Sequence, residues 1–270
     1  MNITSINLNG IELADGINYW FHLSGFFDFE KNIITNDLMM DGENFGRSKN
    51  KSKTLVLDGW VLSNDEILVF ALNKTLAGNG LKPLIINDTY LCYVEISSRG
   101  STSDNSHEIS CQLTMPDPYL YALTPQTAVL GAQYSTGVIF DTGTGITFGP
   151  GVVFGAATGA GGTLTNGGNA DAYPVITIVG ACSGIAVTNQ TTGESISINA
   201  NLADSDTLII DCSAGPNSTR GVYLNGVQAL GLKTSPGWIH CPPGDNVFLF
   251  SRNSLEDKKH CTISLQSRWI

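Results

Sequence analysis

The residues Phe140-Asp-Thr-Gly-Thr144 spell the loop signature of aspartic proteases. In that chemistry two such loops bring a pair of carboxylates together, and a shared proton keeps one acid neutral. One copy is present, so the second carboxylate would have to come from a symmetric partner, and the flap and glycine-bearing helix motif that go with the loop are missing. Asp-Thr-Gly is also common turn chemistry, and Asp141 reads as a strand-end turn. The histidines His22, His107, His240 and His260 stand far apart, no His-Glu-x-x-His pair occurs, and Gly180-Ala-Cys-Ser-Gly184 lacks nucleophile-elbow spacing. Glycines cluster at 141–145, 148–151 and 159–162 without the spacing of a P-loop or a dinucleotide fingerprint. These residues read as a chain that is not an enzyme and calls for no cofactor and no metal.

Two other patterns suggest contacts. Arg47, Lys49, Lys51 and Lys53 recur at every second position, which on one extended strand places four cations on a single face. They read either as a solvated hairpin arm or as a subunit-interface arm docking on an acidic neighbour. Trp238 and His240, spaced to share one side of a strand, form a candidate glycan-stacking pair, although a tryptophan so placed more often packs in a core.

The elements that must hold these residues are mostly strands. From Tyr173 to the C-terminus short apolar runs alternate with turns: 173–180, 194–199, 206–211, 221–225, 246–250 and 261–266. Asn225-Gly226 predicts a type I′ hairpin turn, and Cys241-Pro-Pro-Gly-Asp-Asn246 a break before the next strand. Upstream, strands are expected at 54–62, 84–86, 90–97 and 109–114. One helix is expected between them, with Ser63 and Glu66 as capping box, Ile67, Leu68, Ala71, Leu72 and Leu76 as apolar face, and Gly78 as stop. Short strands are also expected at 138–140 and 152–154, with 159–162 as an exposed loop.

The chain has 270 residues, 14% of them charged, and 30 glycines, a balance that suits a turn-dense β protein. Its formal net charge is −10. Residues 1–125 carry eight basic against fifteen acidic side chains, net −7, and the remainder six against nine, net −3. Such a chain repels a phosphate backbone, which argues against stable nucleic-acid binding. The longest purely apolar run is the six residues 67–72, too short to insert in a membrane, and the N-terminus has no basic start. Six cysteines without a Cys-x-x-Cys pair read as buried reduced thiols of a protein assembled in a cytoplasm.

The ordered words Tyr-Pro-Val-Ile-Thr-Ile-Val-Gly at 173–180, Thr192-Gly193 followed by Ile196 and Ile198, Leu208-Ile-Ile-Asp211, Tyr223-Leu-Asn-Gly226, Pro243-Gly-Asp-Asn246 and Ser267-Arg-Trp-Ile270 carry a resemblance. The series resembles the C-terminal domain of the distal tail protein family of long, non-contractile-tailed bacteriophages. Asn9-Gly10-Ile-Glu-Leu13, Asp37-Leu-Met-Met-Asp-Gly42 and Met115-Pro-Asp-Pro-Tyr119 extend it upstream. The resemblance implies a mainly β fold: an N-terminal β-sandwich or split-barrel-like domain with one helix, 1–125, and a peripheral galectin-like jelly-roll β-sandwich, 126–270. It also implies a homohexameric ring at the virion tail tip, joining the tail tube protein to the tail-tip hub and host-adhesion apparatus, with DNA only passing through the lumen. The alternative is a carbohydrate-binding adhesion module, or lectin-like β-sandwich.

Overall fold

The computed structural model describes residues 3–26, 31–37, 43–62, 66–100, 108–130, 160–214, 218–252 and 260–270. The chain divides into two compact units, Met1–Thr124 with Arg268–Ile270, and Pro125–Ser267. The expected second domain therefore stops short of the C-terminus, because the last three residues add to the first unit's sheet. Both units are mainly β, built of antiparallel sheets, and no sheet closes into a barrel among the described residues.

The first unit runs β1 (Ile6–Leu8), β2 (Ile11–Glu12), β3 (Tyr19–Ser24), β4 (Lys31–Asp37), β5 (Glu43–Asn50), β6 (Lys53–Val61), α1 (Glu66–Ala77), β7 (Lys82–Ile86), β8 (Tyr90–Gly100), β9 (Glu108–Met115) and β10 (Leu120–Ala122). The second runs β11 (Gln126–Leu130), β12 (Ala160–Asn166), β13 (Val175–Val179), β14 (Ile185–Asn189), β15 (Glu194–Ile198), β16 (Thr207–Asp211), β17 (Gly221–Leu224), β18 (Val227–Gln228), a 3-10 turn (Leu230–Leu232), β19 (Gly244–Ser251) and β20 (His260–Leu265), after which β21 (Arg268–Trp269) returns to the first.

In the first unit the order is β2-β1-β7-β8-β9-β6-β3, with β10 on β8 and β21 on β10, and β4 and β5 pair as a separate hairpin. Period-two alternation turns Tyr19, Phe21 and Leu23 of β3 and Leu55 and Leu57 of β6 into one core with Leu84, Ile86, Val94 and Leu113. The helix covers this face through buried Leu72 and Leu76, with Leu68 and Val69 half-buried, and Tyr19 Oη donates to the Leu68 carbonyl at 2.9 Å. Its expected apolar face is corrected at Ile67, which is 77% exposed. At about 100° per residue, Ile67 falls about half a turn from Leu76, so the side chain cannot reach the core. Ser63 of the expected capping box lies outside the described residues.

The end of the chain is held by side chains as well as by the ladder. Leu120 pairs with Trp269 and Tyr121 with Arg268. The Arg268 guanidinium lies 3.5 Å from the Tyr119 ring centroid and its Nη2 is 3.5 Å from Asp117 Oδ1. Trp269 meets Tyr90 edge to face at 5.2 Å. Burial and a hydrogen bond to Asp117 push the Tyr121 phenol up, so it stays protonated.

The second unit is a two-sheet sandwich, β11-β20-β13-β16-β17-β18 over β12-β19-β14-β15. Ile176, Ile178, Ile210 and Ile263 of one sheet share a core with Val187, Ile196, Phe248 and Phe250 of the other. Asn225 and Gly226 both take positive φ, 52° and 79°, between paired Leu224 and Val227, the hairpin turn expected there. Residues 160–162, expected as an exposed loop, instead open β12 and pair with Phe250, Leu249 and Phe248. A Cβ on Gly162 would stand 2.5 Å from Leu130 Cδ2, so the glycine serves close packing rather than a bend. The strands expected at 138–140 and 152–154 lie outside the described residues.

Gly59 is the tightest point of the first unit. It stands opposite Phe21 in the ladder, and a Cβ there would lie 2.2 Å from the Trp20 carbonyl oxygen and 2.5 Å from Phe21 Cα. Gly59→Ala is expected to lower unfolding stability by about 1–3 kcal/mol by forcing β3 off β6. A urea midpoint equal to the parent's would contradict that packing.

Candidate functional site

Trp238 and His240 are positioned by a set of buried amides. Asn166, Asn189 and Asn246 are buried polar residues of the second unit. Asn166 Nδ2 donates to the carbonyls of Ala170 and Cys241, at 2.8 and 2.9 Å. Asn189 Nδ2 donates to the His240 carbonyl at 2.9 Å and to Asn246 Oδ1 at 3.1 Å, and Asn246 Nδ2 donates to the carbonyls of Pro242 and Gly244. Cys241 exchanges two backbone hydrogen bonds with Ala172. The prolines at 242 and 243 lack the N–H a ladder needs, and the Pro242 carbonyl is satisfied by the Asn246 side chain instead.

The strand expected to carry Trp238 and His240 is therefore absent. The segment lies outside the sheets, with Ile239 buried and its two neighbours half-exposed. His240 is clipped to Glu194 at the start of β15: its backbone N–H donates to Glu194 Oε2 at 2.8 Å, and Nδ1 lies 2.7 Å from the same oxygen.

Trp238 lies among cations. Lys233 Nζ is 4.8 Å and Arg220 Cζ 5.6 Å from its ring centroid, and Arg220 Cζ is 5.7 Å from the Tyr173 ring. Arg220 is aimed by its own hydrogen bonds, Nε to the Ser213 carbonyl at 2.8 Å and Nη2 to the Cys212 carbonyl at 3.1 Å. Lys233 Nζ donates to the Ser235 carbonyl, and desolvation lowers its pKa, with Cys212 acting in the opposite sense. Cations over an indole face hold the position a neutral sugar ring would take in stacking. The arrangement is a cation–aromatic cluster, and neither Arg220 and Lys233 beside Trp238, nor Tyr173 beside Arg220, nor Glu194 beside His240 was legible from spacing alone.

The cationic comb does not persist as one face. Arg47 and Lys49 lie on β5, opposite Ile34 and Asn32, and Lys51 is exposed between strands. Lys53 opens β6 on the inward parity shared with Leu55 and Leu57; it is only 6% exposed, and Nζ donates to the Phe26 carbonyl at 3.3 Å. The chain changes strand between Asn50 and Lys53, so period-two spacing does not carry across. The side chains of Arg47 and Lys49, and Asp141 with its Asp-Thr-Gly loop, lie outside the described residues.

All six cysteines are buried free thiols. Burial pushes Cys92, Cys212, Cys241 and Cys261 up to about 12 and Cys111 to about 11, which keeps them protonated and poor nucleophiles. Among the described residues no group of His, Cys, Asp and Glu side chains has the arrangement of a metal site.

Residues 167–269 match the family model of the siphovirus-type tail component, C-terminal domain. The fold is similar to the crystal structure of the Dit (gp 19.1) protein of phage SPP1, described as a paradigm of the hub adsorption apparatus of phages infecting Gram-positive hosts. The TM-score is 0.67 at 12% identity, over 98% of this chain and 99% of that one. It is also similar to a chain of the phage P2 baseplate in its activated conformation with Ca, with a TM-score of 0.50 at 8% identity over 98% of each chain. In the same baseplate with Sr the TM-score is 0.51 at 8% identity, over 96% of this chain and 97% of that one. At these identities the likeness is one of fold. No curated protein matches the chain by sequence.

Asn189→Asp retains shape but removes two buried donations, leaving the His240 carbonyl and Asn246 Oδ1 without that donor. A loss of about 2–4 kcal/mol is expected, together with faster labelling of the Cys241 thiol by a neutral alkylating reagent. Parent-like stability and an equally protected Cys241 would show that the amides do not hold the segment.

Proposed function

We propose, from the match of its C-terminal part to the siphovirus-type tail component, that this chain is a structural hub protein of a phage tail tip. In this reading copies close into a homohexameric ring that joins the tail tube to the tail-tip hub and host-adhesion apparatus. The first unit carries the ring contacts, and the second forms the peripheral domain. The subunits assemble in the host cytoplasm and reside in the virion, and DNA crosses the lumen without stable binding.

The observation that carries this reading is the coincidence of two likenesses on one chain. Residues 167–269 match the tail-component family model, and the whole chain shares its fold with a protein described as belonging to a hub adsorption apparatus. The acidic charge supports the passive role toward DNA: a wall of net −10 subunits repels a phosphate backbone. An architectural role also fits what the chain offers chemically, namely two sheet-built cores and six buried free thiols.

The alternative, a carbohydrate-binding adhesion module centred on Trp238 and His240, draws on the half-exposed indole, which shares Arg220 with Tyr173. The cations over that indole favour packing over sugar stacking.

Sedimentation of the purified chain over a range of concentrations tests the reading. One closed species of six subunits is expected at high concentration, with assembly weakened by reversing Arg47 and Lys49 to Glu and by raised salt. A chain that stays monomeric throughout, yet binds glycans in a way that Trp238→Ala abolishes, would replace the hub with the adhesion module.

A further inference from the structure

The first unit exposes large apolar side chains on two opposite layers. On the sheet layer, β3 alternates so that Tyr19, Phe21 and Leu23 face the core and Trp20 faces away. Trp20 stands opposite Trp60 in the ladder, and the rings stack at 5.3 Å with 23° between planes. They are 51% and 44% exposed, and Leu62 continues the same parity, also exposed. On the helix layer, Leu72 and Leu76 face the core while Ile67 and Phe70, one turn apart, point outward at 77% and 70% exposure. Because α1 packs on the inward side of β3, through the Tyr19 hydrogen bond to Leu68, the tryptophan face and the outward helix face lie on opposite sides of the unit.

A ring built from one kind of subunit requires two such faces. Head-to-tail contacts place one patch of each copy on a different patch of the next, whereas a single self-complementary patch closes at a dimer. The charges around the two patches also match. Asp58 is exposed on the parity of Trp60, two residues along β6, and Lys74 is exposed one turn beyond Phe70 on the outward face of α1. Stacked, strand-held tryptophans lose little side-chain freedom on docking, and an ammonium approaching an indole face adds a cation–π attraction.

We infer that the ring closes head to tail, the Trp20–Trp60 face of one copy seated on the Ile67–Phe70 face of a second copy, with Asp58 meeting Lys74 across the joint. The inference rests on the ring reading above and names the surfaces that make it.

The test compares assembly of the full chain with that of Trp20→Ser/Trp60→Ser and of Ile67→Ser/Phe70→Ser. Each pair should weaken subunit association by about tenfold or more while circular dichroism and the urea midpoint stay near the parent's. The helix-face variant stands as the test if the tryptophan variant loses its fold, since outward helix positions leave the core intact. Asp58→Lys and Lys74→Asp should each weaken assembly, and both together in one chain should restore it to within about threefold of the parent. Parent rings that survive both serine pairs, or charge reversals that fail to rescue one another, overturn this joint and leave the ring standing. A parent chain that never assembles overturns the ring reading itself.

Discussion

The first unit is not complete until the chain has finished the second. Arg268 is the residue on which that closure turns. Its guanidinium lies over the Tyr119 ring and beside Asp117, at the strand that pairs with β8. A buried cation of this kind is held by geometry: removing it would leave Asp117 without its counter-charge, at a cost of about 3–5 kcal/mol. Trp269, edge-on to Tyr90, adds apolar contact to the same short ladder. Two residues of β21 provide few backbone hydrogen bonds, so the side chains set the register. The second unit is thus an insertion between β10 and β21, entered and left through the first unit's own sheet.

Within the insertion the decisive interactions are again polar and buried. Asn166, Asn189 and Asn246 give donors to a segment that proline bars from a sheet, and through it they place Trp238 and His240. Satisfied amides in a core specify one arrangement because every alternative leaves a donor or acceptor bare. This is why the cation–aromatic cluster has a defined geometry although its residues come from separate turns.

Much of the sandwich was legible in the sequence because alternation of apolar and polar residues is local: the runs at 194–198, 207–211 and 221–224 are strands where the pattern places them. What was not legible depends on partners distant in the chain. Gly161 and Gly162 read as a loop, yet they pair with β19 as a strand, where Leu130 crowds the place a side chain at Gly162 would take. Lys53 reads as one tooth of a cationic comb, and a change of strand turns it inward to the Phe26 carbonyl. The return of Arg268 to Asp117, set by the pairing of β21 with β10, and the approach of Arg220 and Lys233 to Trp238, aimed by backbone carbonyls, leave no trace in spacing. Exposed Ile67 shows the same limit, since apolar composition alone cannot say which side of a helix meets the core.

Taken together, the chain offers two cores, buried free thiols, a net charge of −10, and exposed apolar side chains on opposite layers of the first unit. On the proposed reading, such faces are what a hub subunit would use to assemble. The most direct measurement is electron cryomicroscopy of tails that contain this chain. The account predicts six copies around the axis at the distal end, forming a closed ring on an open channel. A well-ordered tail tip whose axial ring lacks this chain, or in which it occurs only on peripheral appendages, would contradict the account.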